Sequence, residues 1–496
     1  MDSEIELKLL VDSDADKLLE NRFVPELDVR YQHKSDHLFN SYFDTQEQLL
    51  RQHGMGLRVR GRNGQYEQTI KTKNGSVGGL HQRLEYNADI PKNQVDLSLF
   101  PEEVWRDDLS PDTLNGNLVE LFSTHFQRHE YLLHLSDKTD VELVYDNGLI
   151  ETEKYQCDIS EIELELKSGS TRKLFELARS LREVVPFRLG FKSKAQRGYE
   201  LFLGTQNHDS EASLALENKN MAVAEALKLI LSDCLHRMQF NELNYTENHR
   251  VKDLVQFSSA LADLHRCLQL FSTCFEENQM AGLLNKVMQV REDWLWVEEA
   301  AAIKELLSKK GLYRKKLAKH TKVVDLLRAK LDAILVANKP QDLLKHKSYV
   351  LMQLELLEFL VCTERLSLVD VEEDAIGKFA KRIYKKELAS VQALFFSEPI
   401  ESIDAFLKRK QKLLTCVQVH HFLDDVVGQK GRDNMEIWLD LWDGIEELYI
   451  LWMLEQKLID SDEEAVREVL SWSVEKQRAL LKVINLSVNS ANKMEV

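Results

Sequence analysis

Glycine is distributed unevenly along the chain, and this asymmetry limits what each part can fold into. Thirteen of the 19 glycines lie in the first 204 of the 496 residues, and five of the seven prolines lie before residue 187. Such a turn-rich segment is typical of strands joined by tight turns. The remainder is poor in turn residues and rich in Leu, Ala, Glu, Lys and Gln, which favour helices. The sequence therefore predicts a β-rich N-terminal part followed by a helical one.

Apolar and polar residues alternate in several segments of the N-terminal part, for example in EIELKLLV, GLRVRGR and DISEIELEL. A period of two is typical of strands with one buried face. Asn63 and Gly64 between two such segments predict a hairpin turn with positive φ at both residues. Beyond residue 220 the spacing is helical, and short connections favour bundles. We expect a β domain at 1–204, a polar linker at 205–219, a helical domain at 220–485 and a tail at 486–496.

Three of the predicted strands carry charges on one face. Each strand alone is more typical of a sheet whose polar side faces water. Together they suggest a site for divalent cations and a polyanion, because carboxylates suit Mg²⁺ or Mn²⁺ and guanidinium groups fit phosphate oxygens. A closed barrel with a polar lumen would bring both sets together. The charged residues on these faces are Glu4, Glu6 and Lys8, then Arg58, Arg60 and Arg62, and finally Glu161, Glu163 and Glu165.

EIELK at residues 4–8 matches the ExExK motif of the CYTH superfamily, and further motifs of that superfamily follow in order. They are YFDT, GMGLRVRG, TIK, GGLHQRLEY, FQRHEY, YDNG, EIELEL and SKAQRGY. Residues 2–203 therefore resemble this superfamily, which includes class IV adenylate cyclases, thiamine triphosphatases and inorganic triphosphatases. Two stretches, GMGLRVRGRNGQYEQTIK and GGLHQR, look particularly like bacterial inorganic triphosphatases that carry a second, helical domain.

The resemblance implies an α+β domain built around an antiparallel β-tunnel, the triphosphate tunnel fold, followed by an all-α helical bundle. It implies Mg²⁺ (or Mn²⁺) bound by Glu4, Glu6, Asp146, Glu163 and Glu165, with Glu161 as a further candidate. Phosphate oxygens would be bound by Arg58, Arg60, Lys71, Arg83, Arg128, Lys194 and Arg197. Glu4, Glu6 and Lys8 would be catalytic. Lys8 would either orient or activate the attacking water or neutralise phosphate charge, and Glu85 would orient Arg83 or another tunnel cation.

The function that the resemblance favours is metal-dependent hydrolysis of inorganic tripolyphosphate to pyrophosphate and phosphate. A thiamine or nucleoside triphosphatase of the same superfamily is the nearest alternative, and a class IV adenylate cyclase would use the same tunnel. A different class is a non-catalytic scaffold that binds polyphosphate. The acidic strands argue against that scaffold, since carboxylates beside arginines gain nothing without a metal.

Residues 220–485 occupy the position of a CHAD domain, a helical domain associated with inorganic polyphosphate. The helix predicted at 255–271 has Ser258, Ala262 and Asp263 where that family usually has arginines, and it keeps His265 and Arg266. Polyphosphate is therefore only a weak candidate partner of the helical half.

The net charge of -17 argues against general binding to nucleic acid or to anionic membranes. The first residues, MDSEIELKLL, lack the pattern of a signal peptide, and no apolar stretch reaches the length that spans a bilayer. The six cysteines contain no CxxC pair, which favours reduced thiols. We therefore expect a cytoplasmic protein without nucleic-acid or membrane partners.

Overall fold

A computed structural model describes residues 2–12, 14–105, 109–114, 116–204, 216, 218–276, 280–363, 366, 369, 375–397, 402–428, 435–461 and 463–494. Within these ranges the side chains of residues 2–4, 73–76, 82–83, 273, 404 and 490–494 are left out. Most of the predicted linker at 205–219 lies outside the described residues, so the predicted domain limits at 204 and 220 stay predictions.

The β-rich part folds into one antiparallel sheet that closes on itself. Its strands are β1 (Asp2–Val11), β2 (Arg30–Asp44), β3 (Met55–Arg62), β4 (Gln65–Val77), β5 (Leu80–Ile90), β6 (Val119–His134), β7 (Asp140–Glu151), β8 (Gln156–Ser168) and β9 (Phe187–Leu189). The strand order is β5-β4-β3-β2-β6-β7-β8-β1-β9, and β5 also pairs with β1. This last pairing joins the two ends of an eight-strand ring, and the short β9 continues the free edge of β1. The predicted antiparallel tunnel is thereby confirmed.

Alternation of residue type along the strands decides which side chains face the lumen. In β3, Leu57 and Val59 are almost completely buried on one face, and Leu57 packs in one cluster with Leu97, Phe100 and Val104, which follow β5. Arg58 and Arg60 lie between them in sequence and therefore point to the other face. The β3–β4 hairpin turns at Asn63 and Gly64, whose φ values of 53° and 79° match the expected turn. Arg58 and Arg60 therefore face the lumen, because the apolar residues of the same strand are buried on its outer face.

The longer helices are labelled in chain order. They are α1 (Arg172–Val184), α2 (Lys194–Leu203), α3 (Val223–Asn248), α4 (Val251–Phe271), α5 (Ala281–Glu292), α6 (Trp296–Leu307), α7 (Thr321–Asn338), α8 (Lys347–Cys362), α9 (Ile376–Phe396), α10 (Ile403–Val427), α11 (Glu436–Leu458) and α12 (Glu464–Met494). Shorter helical turns lie at Ala15–Leu18, Leu19–Phe23, Val24–Glu26, Leu49–Gln52, Leu97–Leu99, Glu102–Val104, Pro111–Leu114, Ser272–Cys274, Arg314–Leu317 and Pro340–Leu344. The predicted helical half is confirmed. No helix among the described residues combines the length and the apolar character needed to cross a membrane.

The contacts divide the chain into two compact units, which we call the tunnel unit and the helical unit. The tunnel unit comprises Met1–Ala212 and also Leu344–Glu364, and the helical unit comprises Ser213–Leu343 and Arg365–Val496. Helix α8 therefore belongs to the tunnel unit, although its sequence lies in the middle of the helical half. Part of the helical unit's own core is formed by α6, α7, α11 and α12.

Candidate active site

Three carboxylates converge on the inner face of the tunnel, and we call them the inner cluster: Asp146 of β7 with Glu161 and Glu163 of β8. One oxygen of each lies within 4.8 Å of the others. The register brings them together, because Asp146 is paired with Glu161 across the β7–β8 ladder. The sequence prediction included Asp146 and Glu163 as metal ligands and Glu161 as a further candidate. Their grouping fits a site for a hard cation.

Two lysines and an arginine surround the inner cluster. The Lys8 ammonium lies 2.7 Å from Glu161 and also contacts Glu163. Lys194, at the start of α2, lies 2.7 Å from Asp146 and 3.1 Å from Glu163, and it contacts Glu161 as well. Arg128 of β6 donates two hydrogen bonds of 2.7 Å to Asp146. The negative charge of the three carboxylates is thus balanced by cations of the chain without a metal.

These contacts set the protonation states of the cluster. Burial opposes ionisation of Asp146 and Glu163, but the neighbouring cations outweigh it and hold the pKa of both carboxyls below the ordinary value. Burial likewise opposes the charge on Lys8, but Glu161 and Glu163 outweigh it and raise its pKa. A lysine with a raised pKa stays protonated at neutral pH and cannot accept a proton from water. The raised pKa therefore argues against activation of water by Lys8 as a base, while orientation of the water and neutralisation of phosphate charge both stay predictions.

A second group of carboxylates, which we call the acidic row, lies one step along the same face. Glu165 of β8 is paired with Glu6 of β1 on one side and with Glu142 of β7 on the other. Lys167 lies 2.7 Å from Glu165 and 3.4 Å from Glu142. The row therefore holds three carboxylates and a closely placed ammonium, and Glu6 also lies near enough to Lys8 to act on its charge. Its hard oxygen donors fit Mg²⁺ or Mn²⁺.

Glu4 and Arg83 were also predicted as site residues. Their backbones are paired with each other across the β1–β5 ladder, two residues before Glu6 and two residues after His81. Their side chains lie outside the described residues, so their predicted roles stay predictions. Sequence reasoning did not single out Glu142, although it alternates with Val141 and Leu143 in the manner of the other inward acids.

The arginines of β3 stand across the lumen, because β3 and β8 are four strands apart in the eight-strand ring. Arg60 donates a hydrogen bond of 2.9 Å to the side-chain oxygen of Asn40. Burial and the nearby charges of Arg58 and Arg128 lower the pKa of Arg60 to about 9. An anion bound here would relieve this destabilised charge. Lys71 of β4 forms an ion pair with Glu85, and the orienting role predicted for Glu85 stays a prediction.

Arg197 of α2 lies beside the backbone of β8. It donates to the carbonyl oxygen of Asp158 and lies 3.5 Å from Glu161. Arg58, Arg60, Arg128 and Lys194 are brought into one lumen, and Arg197 reaches Glu161 of the inner cluster from α2. Its predicted contact with phosphate stays a prediction.

Aromatic and aliphatic side chains fill the inner face beyond the charged residues. They form a core of Leu38, Tyr42, Leu121, Phe122, Phe126, Ile150, Ile159 and Tyr199. Helix α2 packs against this core so closely that a Cβ on Gly198 would lie 2.1 Å from the Phe122 ring. The Lys194 ammonium lies 5.3 Å from the centre of the Phe126 ring, where the polar and apolar parts meet. Sequence reasoning missed this apolar part, whose one signal is the run of inward aromatic residues in β6.

In the helical unit, the two basic residues retained at 255–271 are engaged by neighbours. Arg266 donates to the Gln418 side chain at 3.1 Å, and Gln418 donates to Asp263 at 2.8 Å. Asp263 also accepts a bond of 2.9 Å from Arg237. Burial, Arg291 and Arg266 lower the pKa of His265 to about 4, which leaves it neutral at pH 7. Asp263 and Asp233 pair with Arg237, whereas burial and Arg291 lower the pKa of Arg266.

Comparison with known proteins agrees with this geometry. Residues 2–199 match the CYTH domain family. The chain is 34% identical over 175 residues to an inorganic triphosphatase of Haemophilus influenzae, a match that covers 34% of this chain and 47% of that protein. The chain thus spans about half the length of this curated relative.

Two solved structures are similar to separate parts of the chain. A protein from Hippeastrum, described as a candidate adenylyl cyclase with a dominant triphosphatase activity, is 19% identical, with a TM-score of 0.31, and the match covers 41% of this chain and 98% of that one. A CHAD domain from the plant Ricinus communis is 17% identical, with a TM-score of 0.45, and the match covers 56% of this chain and 95% of that one. At these identities and TM-scores, neither similarity carries an argument about function.

Proposed function

We propose, from the premise that residues 2–199 form a CYTH domain, that this chain is a metal-dependent inorganic triphosphatase. It would hydrolyse tripolyphosphate to pyrophosphate and phosphate. The observation that carries the proposal is the convergence of the inner cluster and the acidic row with buried cations inside one closed tunnel. The relative described as an inorganic triphosphatase supports this substrate over other triphosphates.

Mg²⁺ or Mn²⁺ would be held by the acidic row, with Glu4 as a further ligand. The row is preferred to the inner cluster because Lys8, Lys194 and Arg128 already balance the inner carboxylates. When bound, such an ion neutralises phosphate charge and lowers the pKa of a coordinated water. Lys8 would remain protonated and neutralise charge on the substrate beside it.

The arginines across the lumen would bind the phosphate oxygens. Arg58 and Arg60 project from one face of β3, and a guanidinium can bind two phosphate oxygens at once. In-line attack by water on a terminal phosphorus would break the phosphoanhydride bond. Phosphoryl transfer depends mainly on position and on charge neutralisation, both of which these residues would supply.

The test is a comparison of substrates on the purified full chain. Tripolyphosphate, thiamine triphosphate and ATP are each supplied with Mg²⁺ or Mn²⁺, while phosphate, pyrophosphate and cyclic AMP are measured. We expect release of phosphate and pyrophosphate from tripolyphosphate, and none with a chelator. Turnover of thiamine triphosphate or ATP in its place would favour the alternative triphosphatases, cyclic AMP would indicate a cyclase, and tight binding without turnover would indicate a scaffold.

Two further predictions remain part of this proposal. Polyphosphate binding by the helical unit is a weak candidate, because Arg266 is engaged by Gln418 and His265 is neutral. Fluorescence of a tagged chain in its native host would test the expected cytoplasmic location, and a signal at the envelope would contradict it.

A further inference from the structure

Helix α8 is embedded in the tunnel unit, although the chain reaches it only after five helices of the helical half. Its side chains are buried around most of the helix circumference, including Tyr349, Val350, Leu354 and Leu357, which are at most 1% exposed. A helix with so much buried apolar surface is packed along most of its circumference, and Glu358 lies on the remaining, partly exposed face. Within the tunnel unit its neighbours are α1 and β9.

Polar contacts fix α8 and the residues just before it on α1. Glu358 of α8 accepts a hydrogen bond of 2.6 Å from Arg179 of α1 and lies 3.7 Å from Arg172. Arg182, one turn further along α1, donates to the carbonyl oxygen of Lys345 at 2.7 Å. Both ends of α1 are therefore tied to the α8 segment.

The same arginine connects this arrangement to β9. The Arg182 guanidinium lies 5.8 Å from the centre of the Phe187 ring in β9. β9 in turn is paired with the second half of β1, with Phe187 opposite Val11 and Leu189 opposite Leu9. A strand of three residues has few hydrogen bonds of its own, so its position depends on what covers it.

β9 leads directly to both lysines of the inner cluster. Gly190, the next residue, donates a hydrogen bond of 2.9 Å to the carbonyl oxygen of Lys8. A Cβ on Gly190 would lie 3.0 Å from Cγ of Lys8, so the two backbones approach closely. Ser193 then starts α2 with a capping box, and Lys194 is the first residue of that helix. A shift of β9 would therefore move Lys194 and the backbone of Lys8.

We propose that α8 is a positioning element of the tunnel site, which acts through α1 and β9 on Lys8 and Lys194. The helical half of the sequence would then contribute to triphosphate hydrolysis without touching the substrate. The kinetic part of this inference rests on the proposed function; the structural part does not. Glu358 is the positioning residue that the contacts single out.

The experiment reverses the charge of Glu358 in the full chain. Glu358→Lys places a third cation beside Arg172 and Arg179, and Arg179→Glu is the complementary change. We expect each single variant to speed hydrogen exchange in peptides covering residues 187–194 and to lower kcat for tripolyphosphate by about fivefold. The double variant should restore both values to within about twofold of wild type, because the pair is re-formed with its charges exchanged. Glu358→Gln keeps the shape of the side chain and removes its charge. It should change hydrogen exchange and kcat in the same direction by a smaller amount, and it replaces Glu358→Lys in the test if that variant does not fold.

Asp325→Lys is the matched control, since it makes the same change of charge on α7 of the helical unit, at a side chain that is 71% exposed. It should alter neither exchange at 187–194 nor kcat. Unchanged exchange in Glu358→Lys, or faster exchange with kcat within twofold of wild type, would overturn the inference. General acceleration across the tunnel unit would also overturn it, since that pattern indicates loss of stability rather than loss of position. Should the wild type lack turnover, the proposed function fails, while the exchange comparison still decides whether α8 holds β9 and α2.

Discussion

The two groups of carboxylates in the tunnel have similar composition and different surroundings. The inner cluster of Asp146, Glu161 and Glu163 is buried against Lys8, Lys194 and Arg128. In the acidic row of Glu6, Glu165 and Glu142, Lys167 forms ion pairs with Glu165 and Glu142. The charge balance around a carboxylate, rather than its presence on the lumen, therefore indicates whether it is available to a metal. We propose that the first group mainly stabilises the fold and that the second binds the metal, and the following variants test this assignment.

Glu165→Gln should have the largest effect on turnover of the variants that compare the two groups. The amide keeps the size of the side chain and removes the charge, so metal-dependent turnover of tripolyphosphate should fall by about a thousandfold, the upper end for loss of one such charge contact. The free energy of unfolding should change by less than about 1 kcal/mol, because the side chain is partly exposed. Turnover and urea unfolding are measured on the same preparation. Glu151→Gln, on an exposed position of β7, is the control, and near-normal turnover in Glu165→Gln would remove this residue from the metal site.

Asp146→Asn should show the opposite pattern. Asp146 is fully buried and accepts bonds from Arg128 and Lys194, so its loss leaves two buried cations undercompensated. Removal of one partner of a buried ion pair costs about 3 kcal/mol, which urea unfolding would detect. The Mn²⁺ concentration for half-maximal activity should stay within about threefold of wild type if the acidic row holds the metal. Asp140→Asn, at a partly exposed side chain of the same strand, is the control. A large loss of Mn²⁺ affinity in Asp146→Asn would move the metal to the inner cluster.

Arg60→Ala tests the cations that face both groups from across the lumen. The Arg60 guanidinium is bonded to an amide oxygen of Asn40, whereas Arg128 is bonded to carboxylates. Arg60 is therefore better placed to exchange its partner for a phosphate. We expect kcat/KM for tripolyphosphate to fall by about a hundredfold. Arg62→Ala, two residues along β3 and paired with Asp36, should change it by less than about threefold. Equal effects of the two changes would contradict a specific role for Arg60.

The sequence alone predicted the faces of the strands but not their register. Alternation places Glu161, Glu163 and Glu165 on one side of β8, because successive side chains point to opposite faces. Which of them meets Asp146 depends on how β7 and β8 are aligned. A shift of the alignment by two residues keeps the same side chains on the same face, so the alternation cannot distinguish the two alignments. The observed register pairs Asp146 with Glu161, which the sequence had suggested only as a further candidate ligand. It also brings Glu142 beside Glu165.

The sequence likewise did not predict the contacts between distant segments. β9 has three residues, too few for a periodic pattern. Helix α8 is mainly apolar, which indicates burial but not the partner that buries it. The family motifs were more informative: SKAQRGY indicated Lys194, and the structure places this lysine among all three carboxylates of the inner cluster.

The smallest expected effect concerns the pH dependence of the inner cluster. Burial disfavours the charge of Asp146, but Arg128 and Lys194 outweigh it, so the pKa is lower in the folded protein than in the unfolded chain. A group of this kind stabilises the fold fully above its unfolded pKa, and the stabilisation is lost as the pH falls towards the folded pKa. The difference in unfolding free energy between wild type and Asp146→Asn should therefore be constant from pH 7 to about 5. Below about pH 3.9 it should shrink by about 1.4 kcal/mol per pH unit. Urea unfolding at several pH values measures this difference, and a gap that widens on acidification would mean that Asp146 is not held ionised by its cations.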